Sequence, residues 1–472
     1  MSYEINADYR QNFLFPPSIE DWINKEHPAR FVRDFVDVFD IEEIGFKVSK
    51  GTDGRPRYSS NLLLKVYLYG YFQRVRTSRG LERLCCNDLG MIWLTGRNNP
   101  DHNTIWRFFD ENKKAISSLF VKVTYVAREN GLLGLVLHAL DGTKIRAQVS
   151  DASGWHKKTL EQKLATLENG IKEIMRELEQ SGEKDDGRYL LSEKLSDEQA
   201  RMVGIKEALK KMESINRKHL NPIDKDARMT KCGKGSSFCY NAQAVVDEKS
   251  GMIVAEDVVN EEADNSMLTP MIGKVEETIG SRAEETVADA GYYSPDQMLK
   301  AEEKGYAVLV NINESISPEK EDVPFHKSKF VYDEKEDVFV CPLGENLFYE
   351  RTAKDRRCKY QERIYRCKSF RYCPRRKDCS REKRGRKIAM GSHYGAVNRQ
   401  LEKQKNPVKK EQLQRRGSII ERGFGFIKEF MGFRRFSVRG LEKVKTQWSL
   451  VCTTFNLYKL FRSWKIGKVA FA

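Results

Sequence analysis

The first 130 residues have the apolar spacing of helices. The stretch 61–75, NLLLKVYLYGYFQRV, is apolar on nearly every side, which predicts a buried helix. The Thr-Ser pair at 77–78 can cap a second helix, and Asn103 or Thr104 can cap a third. Two short helices joined by a loop are typical of a helix-turn-helix, but an ordinary helical hairpin has the same pattern.

Strand patterns begin at the stretch 132–145, LLGLVLHALDGTKI. Its mostly apolar run from Leu132 to Leu140 predicts a central, covered strand that ends at Asp141. An Asp-Gly pair can also simply turn the chain at a strand's edge. Four further strands are predicted at 240–247, 252–260, 286–291 and 306–313, and the first two of these form a hairpin. One helix is predicted at 266–280. This alternation predicts a mixed α/β sheet.

Two insertions interrupt the predicted sheet. Leucines and isoleucines across 160–178 repeat at intervals of four and three, which is a heptad seam, and a second helix would carry Leu195, Val203, Leu209 and Met212. We therefore expect an antiparallel helical hairpin over 155–220, acting as a scaffold. The second insertion, 314–405, contains a strongly basic segment.

Charge is concentrated in that second insertion. The chain has 472 residues and a formal net charge of +15, and residues 351–390 contain 17 Lys and Arg against 4 Asp and Glu. Tyrosines and a phenylalanine lie among these cations, a combination that favours a nucleic-acid surface over an ordinary solvated face. No apolar run is long enough to span a bilayer, and the N-terminus has no secretion pattern, so we expect a cytoplasmic, nucleoid-associated protein.

Three acidic residues have a context that suggests metal chemistry. Asp141 follows the first predicted strand, Asp289 follows the apolar pair Val287-Ala288, and Glu421 lies on a predicted C-terminal helix. Two carboxylates at neighbouring strand ends and one from a helix can hold two divalent ions for in-line phosphoryl transfer. Spacing alone does not distinguish this triple from the other acidic residues.

Four blocks of the chain resemble bacterial insertion-sequence transposases with an RNase H-like DDE domain, more narrowly the insertion-sequence eleven-eighty-two family. They are HALDGTKIRAQVS, DKDARMTKCGKGSSFCYNAQAVVD, TVADAGYYSP and IIERGFGFIKEFMGFRRFSVRGLEKVKTQWSLVCTTFNLYKL. LERLCCNDLGMIWLTGRNNPDHNTIWRF resembles the helical N-terminal domain of the same enzymes. The likeness covers roughly residues 55–140 and 220–470 and keeps the order of the blocks.

The resemblance implies an Asp-Asp-Glu triad of Asp141, Asp289 and Glu421, two Mg²⁺ or Mn²⁺ ions, and cleavage and joining of double-stranded DNA at inverted repeats by a homodimer. Related enzymes carry Tyr and Arg before the Glu, where this chain has Gln414 and Gly417, so Arg416 is the substitute that we expect to bind phosphate. The expected DNA-binding residues are Lys144, Arg416, Lys428, Asn103, Thr104 and Arg107.

The predicted helix 419–431 places Lys428 two turns from Glu421, roughly 10 Å away on nearly the same face. Gly425 lies between them, where a glycine weakens a helix and would allow a DNA backbone to approach. A separate face, formed by Ile420, Phe424, Ile427 and Met431, would anchor the helix to the sheet.

The cysteines allow two interpretations. Half of the ten lie between 341 and 379, where the resembling transposases often have a zinc-ribbon-like patch. Phe370 replaces the first cysteine of that patch's Cys-x-x-Cys element, so a four-thiolate zinc site would use Cys341, Cys367, Cys373 and Cys379. The alternative is a set of reduced cysteines in a basic loop.

The expected organisation has four parts: a helical DNA-binding domain at 1–130, an RNase H-like catalytic domain at 131–313, the basic Cys-rich insertion at 314–405, and the catalytic domain's C-terminal helices at 406–472. Two alternatives to a transposase remain. One is a catalytically silent, transposase-derived DNA-binding protein. The other is a metal-dependent repair nuclease, which would share the chemistry without recognising specific DNA ends.

Overall fold

The computed structural model describes residues 18–48, 57–180, 186–233, 235–312, 324–326, 329–354, 361–380, 382–391 and 393–469. Its helices are α1 Ile19–Trp22, α2 Pro28–Asp37, α3 Ser60–Phe72, α4 Ser78–Asn87, α5 Leu89–Leu94, α6 His102–Glu111, α7 Lys113–Glu129, α8 Lys157–Gln180, α9 Asp186–Ser214, α10 Leu268–Ile279, α11 Pro295–Glu303, α12 Arg376–Cys379, α13 Tyr394–Lys405, α14 Pro407–Gly425 and α15 Leu441–Lys465. Its strands are β1 Leu137–Arg146, β2 Trp155–His156, β3 His219–Leu220, β4 Arg228–Cys232, β5 Gly235–Asp247, β6 Ile253–Val259, β7 Glu285–Ala288, β8 Val308–Val310, β9 Val331–Asp333, β10 Val338–Val340, β11 Asn346–Lys354, β12 Gln361–Cys367 and β13 Lys387–Gly391.

A mixed six-stranded sheet forms the centre of the fold, as the alternation of strands and helices predicted. Its order is β4-β5-β1-β7-β8, and β6 also pairs with β5. Strand β5 runs antiparallel to β1, whereas β7 and β8 run parallel. Strands β4 and β6 are also antiparallel to β5, so five strands share one direction and β5 alone in this sheet runs the other way.

Strand β1 begins and ends later than the apolar run indicated. Its antiparallel pairing with β5 continues from His138 to Arg146, so Asp141 lies inside the strand rather than after it. The parallel pairing with β7 stops at the pair Leu140 and Ala288. The predicted end of the strand was therefore wrong, but Asp141 does mark the place where β1 loses its neighbour on one side.

The N-terminal helices pack into the same hydrophobic core as the central sheet. Helix α3 is buried along most of its length, as predicted, and α15 packs between β6 and the helices α3 and α7. The buried Gln447 donates a 3.1 Å hydrogen bond to the Tyr71 hydroxyl. The helical region and the sheet therefore share one continuous core.

Capping in the helical region matches the sequence prediction only in part. Thr77 caps α4 by accepting a hydrogen bond from the Gly80 amide, as expected. Helix α6 is capped by Asp101, not by Asn103 or Thr104, because the Asp101 carboxylate accepts both of their amide hydrogens.

Helices α8 and α9 form the predicted antiparallel hairpin. Lys157 pairs with Glu213 near the base of the hairpin, and Lys206 pairs with Glu168 further along. The buried α8 residues Leu160, Ile171 and Ile174 belong to the predicted seam. On α9 the buried positions include Ala208 and Met212, whereas Val203, one of the apolar residues that the second helix was expected to carry, is 52% exposed.

The second insertion contains a sheet of its own. Strands β9 to β13 form a five-stranded antiparallel sheet in the order β13-β12-β11-β10-β9, around a small core that includes Phe339, Leu347 and Tyr365. The helix that follows, α13, packs back on the central sheet, where Gln400 donates to the Val308 carbonyl at 2.9 Å. The basic insertion is therefore a folded unit, not only loops.

The C-terminal helix that carries Glu421 differs from the predicted 419–431 helix. Helix α14 begins at Pro407, and after Gly425 the chain continues as one π-helical turn, Phe426–Phe430. The wider turn changes the angular spacing, so Lys428 is not two regular turns from Glu421. The predicted anchoring face is confirmed, because Ile420, Phe424, Ile427 and Met431 are all buried.

Candidate active site: carboxylates beside strands β1 and β7

Asp141 and Asp289 lie side by side where the parallel pairing of the interior strands β1 and β7 stops. Each directly follows one member of the last parallel pair, Leu140 and Ala288. Neighbouring strands are about 4.8 Å apart, so the two residues lie next to each other at the same level of the sheet. Asp289 then caps a short 3-10 turn by accepting a 2.9 Å hydrogen bond from the Gly291 amide.

Asp141 is mostly buried and paired with a cation. Its Oδ2 accepts a 2.9 Å hydrogen bond from Nη1 of Arg416, and its Oδ1 accepts from the Gly142 amide at 2.8 Å. The two paired side chains are 20% and 17% exposed. Burial nevertheless raises the pKa of Asp141, with a small addition from Asp289, although Arg416 and the amide oppose this shift.

A third carboxylate, Asp264, lies beside this pair and was not found by sequence reasoning. Its Oδ1 accepts hydrogen bonds from Asn241 Nδ2 and Gln243 Nε2, each at 2.6 Å. A Cβ added to Gly142 would lie 2.9 Å from Asp264 Oδ1 and one added to Gly291 would lie 3.8 Å from its Oδ2. The absence of a side chain at Gly142 therefore leaves room for Asp264 beside β1, and Asp264 also lies within van der Waals range of the segment that follows Asp289.

The hydroxyl of Tyr292 lies close enough to all three carboxylates for each of them to raise its pKa. Its buried hydroxyl donates to the Gln243 side-chain carbonyl, so Gln243 joins Tyr292 to Asp264. Burial raises the pKa of Tyr292 well above its ordinary value, and Asp264, Asp141 and Asp289 raise it further, in that order. One hydroxyl therefore senses all three negative charges.

Glu421 is not brought to these carboxylates. It is exposed on the flank of α14, and its Oε1 lies 3.3 Å from where a Cβ of Gly417 would be. Arg416, five residues earlier, is about 140° away around the helix and reaches Asp141 instead. In this arrangement Arg416 provides the positive charge beside Asp141, and Glu421 points along its own helix.

Two lysines predicted to contact DNA lie near the carboxylates. Lys144, on β1, donates to the Glu262 carbonyl at 2.8 Å, and burial lowers its pKa against the opposing effect of Asp264. Burial also lowers the pKa of Lys428, and among the charges that oppose this shift is Asp141. Both ammonium groups are thus half-buried within electrostatic range of the site. A Cβ added at Gly425 would lie more than 4 Å from every atom outside its own helix backbone.

The polar residues of α6 lie on a different surface. Thr104 donates its hydroxyl to the Asp101 carboxylate at 2.8 Å and thus takes part in capping. Asn103 and Arg107 are exposed. Arg107 and Thr104 line an open cavity of about 1050 Å³ together with Lys47 and Arg57.

The four cysteines of the predicted zinc site lie within electrostatic range of one another, at the ends of β10 and β12 and in the segment that contains α12. Cys341 follows β10 and accepts a 3.4 Å hydrogen bond from the Leu343 amide, while Cys367 ends β12. Burial raises the pKa of Cys367 and of Cys379, and the other thiols of the set raise both further. However, no group of three or more His, Cys, Asp or Glu side chains among the described residues is arranged to hold a metal ion.

Two families of known proteins match parts of this chain. Residues 17–111 match the family described as "Transposase domain (DUF772)", and residues 340–461 match the family described as "Transposase DDE domain". The two matches span less than half of the chain, and both indicate a transposase with a DDE domain that acts in DNA transposition. DDE transposases generally use divalent metal ions.

The matched segments lie on either side of the first two carboxylates. Glu421, Arg416 and Lys428 fall inside the DDE match, whereas Asp141, Asp264 and Asp289 fall between the two matches. No curated protein matches the chain. Within the described ranges, no helix is both long and apolar enough to cross a membrane.

Proposed function

We propose that this protein is a DDE transposase of the insertion-sequence eleven-eighty-two family, which cuts and joins its element's ends by phosphoryl transfer. The observation that carries the proposal is the placement of Asp141 and Asp289 directly after the parallel pair Leu140 and Ala288. Backbone pairing keeps the two carboxylate-bearing residues adjacent whatever their side-chain rotamers. The proposed triad is completed by Glu421 from α14, which packs on β1 and β7.

The topology supports an RNase H-like catalytic domain. In chain order, β1, β5 and β6 form an antiparallel meander, and β7 and β8 then add parallel to β1 on its other side. In the sequence, α10 lies between β6 and β7, and α11 lies between β7 and β8, as crossover connections between parallel strands require. The catalytic residues would then lie where the parallel strands end.

The chemistry of the donors suits hard divalent cations, although no three of the described side chains are arranged around one ion position as they stand. Asp141, Asp289 and Asp264 supply carboxylate oxygens, the ligand type that Mg²⁺ and Mn²⁺ prefer, and all three influence the Tyr292 hydroxyl. Two bound ions would activate an attacking oxygen and stabilise the leaving oxygen of a phosphate ester. Glu421 would join the set by rotating its exposed side chain away from Gly417.

The cations around the site suit a phosphate substrate. Arg416 is bonded to Asp141 and would exchange that carboxylate for a DNA phosphate when the carboxylate is engaged elsewhere. Lys428 and Lys144 are half-buried near the same carboxylates and would hold phosphates on either side of the cut. Asn103, Thr104 and Arg107 would contact the element ends from α6.

The basic five-stranded sheet would hold the DNA backbone away from the cut. Its exposed cations include Arg384, whose side chain is 78% exposed, and Tyr372 is 91% exposed beside them. Zinc bound by Cys341, Cys367, Cys373 and Cys379 would have a structural role in that sheet. We further propose that the enzyme acts in the cytoplasm as a homodimer on double-stranded DNA.

The test uses a plasmid that carries this gene's own flanking DNA on both sides of a marker. Purified protein with Mg²⁺ or Mn²⁺ should cut the plasmid at the element borders. Asp141→Asn and Asp289→Asn should each reduce cutting by several orders of magnitude, because each removes an anionic metal ligand. Glu429→Gln, which changes an exposed carboxylate paired with Arg434, should cut at the wild-type rate.

Binding to the same DNA separates the outcomes. Both Asp variants should bind border DNA as tightly as the wild-type protein. If they also cut it at near wild-type rates, the proposed site is wrong. If the wild-type protein binds borders but never cuts them with either metal ion, the chain is a silent DNA-binding descendant. Cutting of any DNA without preference for the borders would indicate a nuclease.

A further inference from the structure

A cleft lined by arginines lies between the helical region and the segment after α14. Its volume is about 760 Å³. Arg74, Arg76 and Arg83 line it from the α3–α4 turn and α4, and Arg435 lines it from the opposite side. The acidic member of the lining, Asp88, uses its carboxylate to accept hydrogen bonds from the Tyr69 hydroxyl and the Met91 amide.

Aromatic rings hold two of these arginines in place. The Arg74 guanidinium lies 4.3 Å from the centre of the Phe430 ring, and the Arg76 guanidinium lies 5.3 Å from that of Phe433. Arg76 also donates to the Met431 carbonyl, and its buried Nε has no hydrogen-bond partner among the described residues. Such contacts preorganise a guanidinium without neutralising its charge.

The other two arginines are free to bind an anion. Arg83 and Arg435 are exposed, and neither forms an ion pair with any residue that the structure describes. A duplex carries a phosphate charge about every 1.7 Å of its axis, so uncompensated guanidinium groups on two walls of a cleft suit its backbone.

The cleft continues along β1 toward the carboxylates. The Arg146 amide donates to the Arg434 carbonyl at 3.2 Å, and the Phe436 amide donates to the Arg146 carbonyl at 2.9 Å, so the cleft wall is attached to β1. Gln148, Arg146 and Lys144 alternate on the more exposed side of this segment. Arg146 is five residues from Asp141, roughly 16 Å along a strand. Side chains alternate between the two faces of a strand, so Lys144 and Arg146 share the face of Gly142, and the carboxylate on that face is Asp264 rather than Asp141. An extended polyanion, rather than one small anion, matches this line of groups.

We propose that this cleft, formed by Arg74, Arg76, Arg83 and Arg435, binds the phosphate backbone of duplex DNA roughly five base pairs from the proposed cut. The inference rests on the proposed function, since the site of the cut is the carboxylate group. The cleft is separate from the predicted contacts on α6 and from the basic five-stranded sheet. It would fix the direction in which the duplex leaves the carboxylates.

The test compares two double variants that remove the same charge. Arg83→Gln with Arg435→Gln removes two cleft cations, and Arg176→Gln with Arg201→Gln removes two exposed cations from the helical hairpin. Binding of a fluorescein-labelled 30-base-pair duplex is measured from 50 to 300 mM salt in an Asp141→Asn background. The cleft variant should lose about 2 units from the slope of log affinity against log salt, because each phosphate contact contributes about 0.9. The hairpin variant should keep the wild-type slope.

Equal slopes for the two double variants would overturn the proposal, because only overall charge would then matter. A cleft variant that binds DNA normally but no longer binds polyglutamate would assign the cleft to an acidic protein segment instead. If the double variant unfolds, Arg83→Gln alone should still lower the slope by about 0.9. Because Asp141→Asn removes cutting from the experiment, a protein that never cuts DNA can still pass or fail this test.

Discussion

Exchange of Arg416 for a metal ion at Asp141 leads to a measurable prediction. Arg416→Gln removes a guanidinium that donates to Asp141 Oδ2 at 2.9 Å between side chains that are 17% and 20% exposed. A hydrogen bond to a charged group at such a site stabilises the structure by about 1.5–3 kcal/mol. An ion that needs the same carboxylate must displace this bond, so its removal should tighten metal binding. The expected gain in Mn²⁺ affinity is at least about tenfold, since 1.4 kcal/mol corresponds to a factor of ten.

Isothermal titration of Mn²⁺ into DNA-free protein at pH 7.5 measures this affinity directly. Arg415→Gln is the matched control, because the neighbouring Arg415 pairs with Glu248 outside the site, and it should leave Mn²⁺ binding unchanged. Asp141→Asn should abolish or greatly weaken binding in either background. Unchanged or weaker Mn²⁺ binding by Arg416→Gln would refute the competition and show that Arg416 helps to position Asp141 for the ion.

Three further predictions concern groups elsewhere in the fold. Burial raises the pKa of Glu256 from 4.5 to about 7, so the folded state holds this proton to a higher pH than the unfolded state does. The free energy of unfolding should therefore fall by about 3 kcal/mol as the pH rises between those values. Urea titrations of Glu256→Gln should show a smaller fall, and an unchanged pH profile would contradict this prediction. Reduced, chelator-free protein should contain about one zinc per chain, and Cys373→Ser should lose it, whereas metal analysis showing none would favour unliganded thiols. Lys428→Ala should bind Mn²⁺ normally but lose cutting at borders, and normal cutting would leave the lysine without a role.

Local patterns were sufficient for the helices and for the existence of the main strands. The all-round apolar pattern of 61–75 and the heptad seam of α8 each depend on neighbouring residues, and both appear in the structure. The end of β1 depends on pairing with β5, about 100 residues further along the chain. No local property of Gly142 to Arg146 indicates that partner, so the strand's extension past Asp141 was missed.

The carboxylate group shows the same limit. Asp141 and Asp289 could be selected because each follows an apolar run, but Asp264 lies in the loop that follows β6 and has no such signal. One clue was available: Asn241 and Gln243 place polar side chains at alternate positions of a strand that is otherwise buried. Buried amides need partners, and Asp264 is the partner of both. Glu421 is exposed because of the way α14 is rotated about its own axis. The sequence predicted a helix only from residue 419, so the spacing of its residues could not show this rotation.

The shared core of the helical region and the central sheet limits how this protein can change during evolution. Gln447 reaches Tyr71, and Asn456 of α15 joins Ile253 of β6 to Thr124 of α7. A separate DNA-reading module could be exchanged between related elements by recombination at a linker. Here such an exchange would expose apolar surface on both parts, so new sequence preferences must arise by substitutions on the helix surfaces, one position at a time, while the interior remains matched.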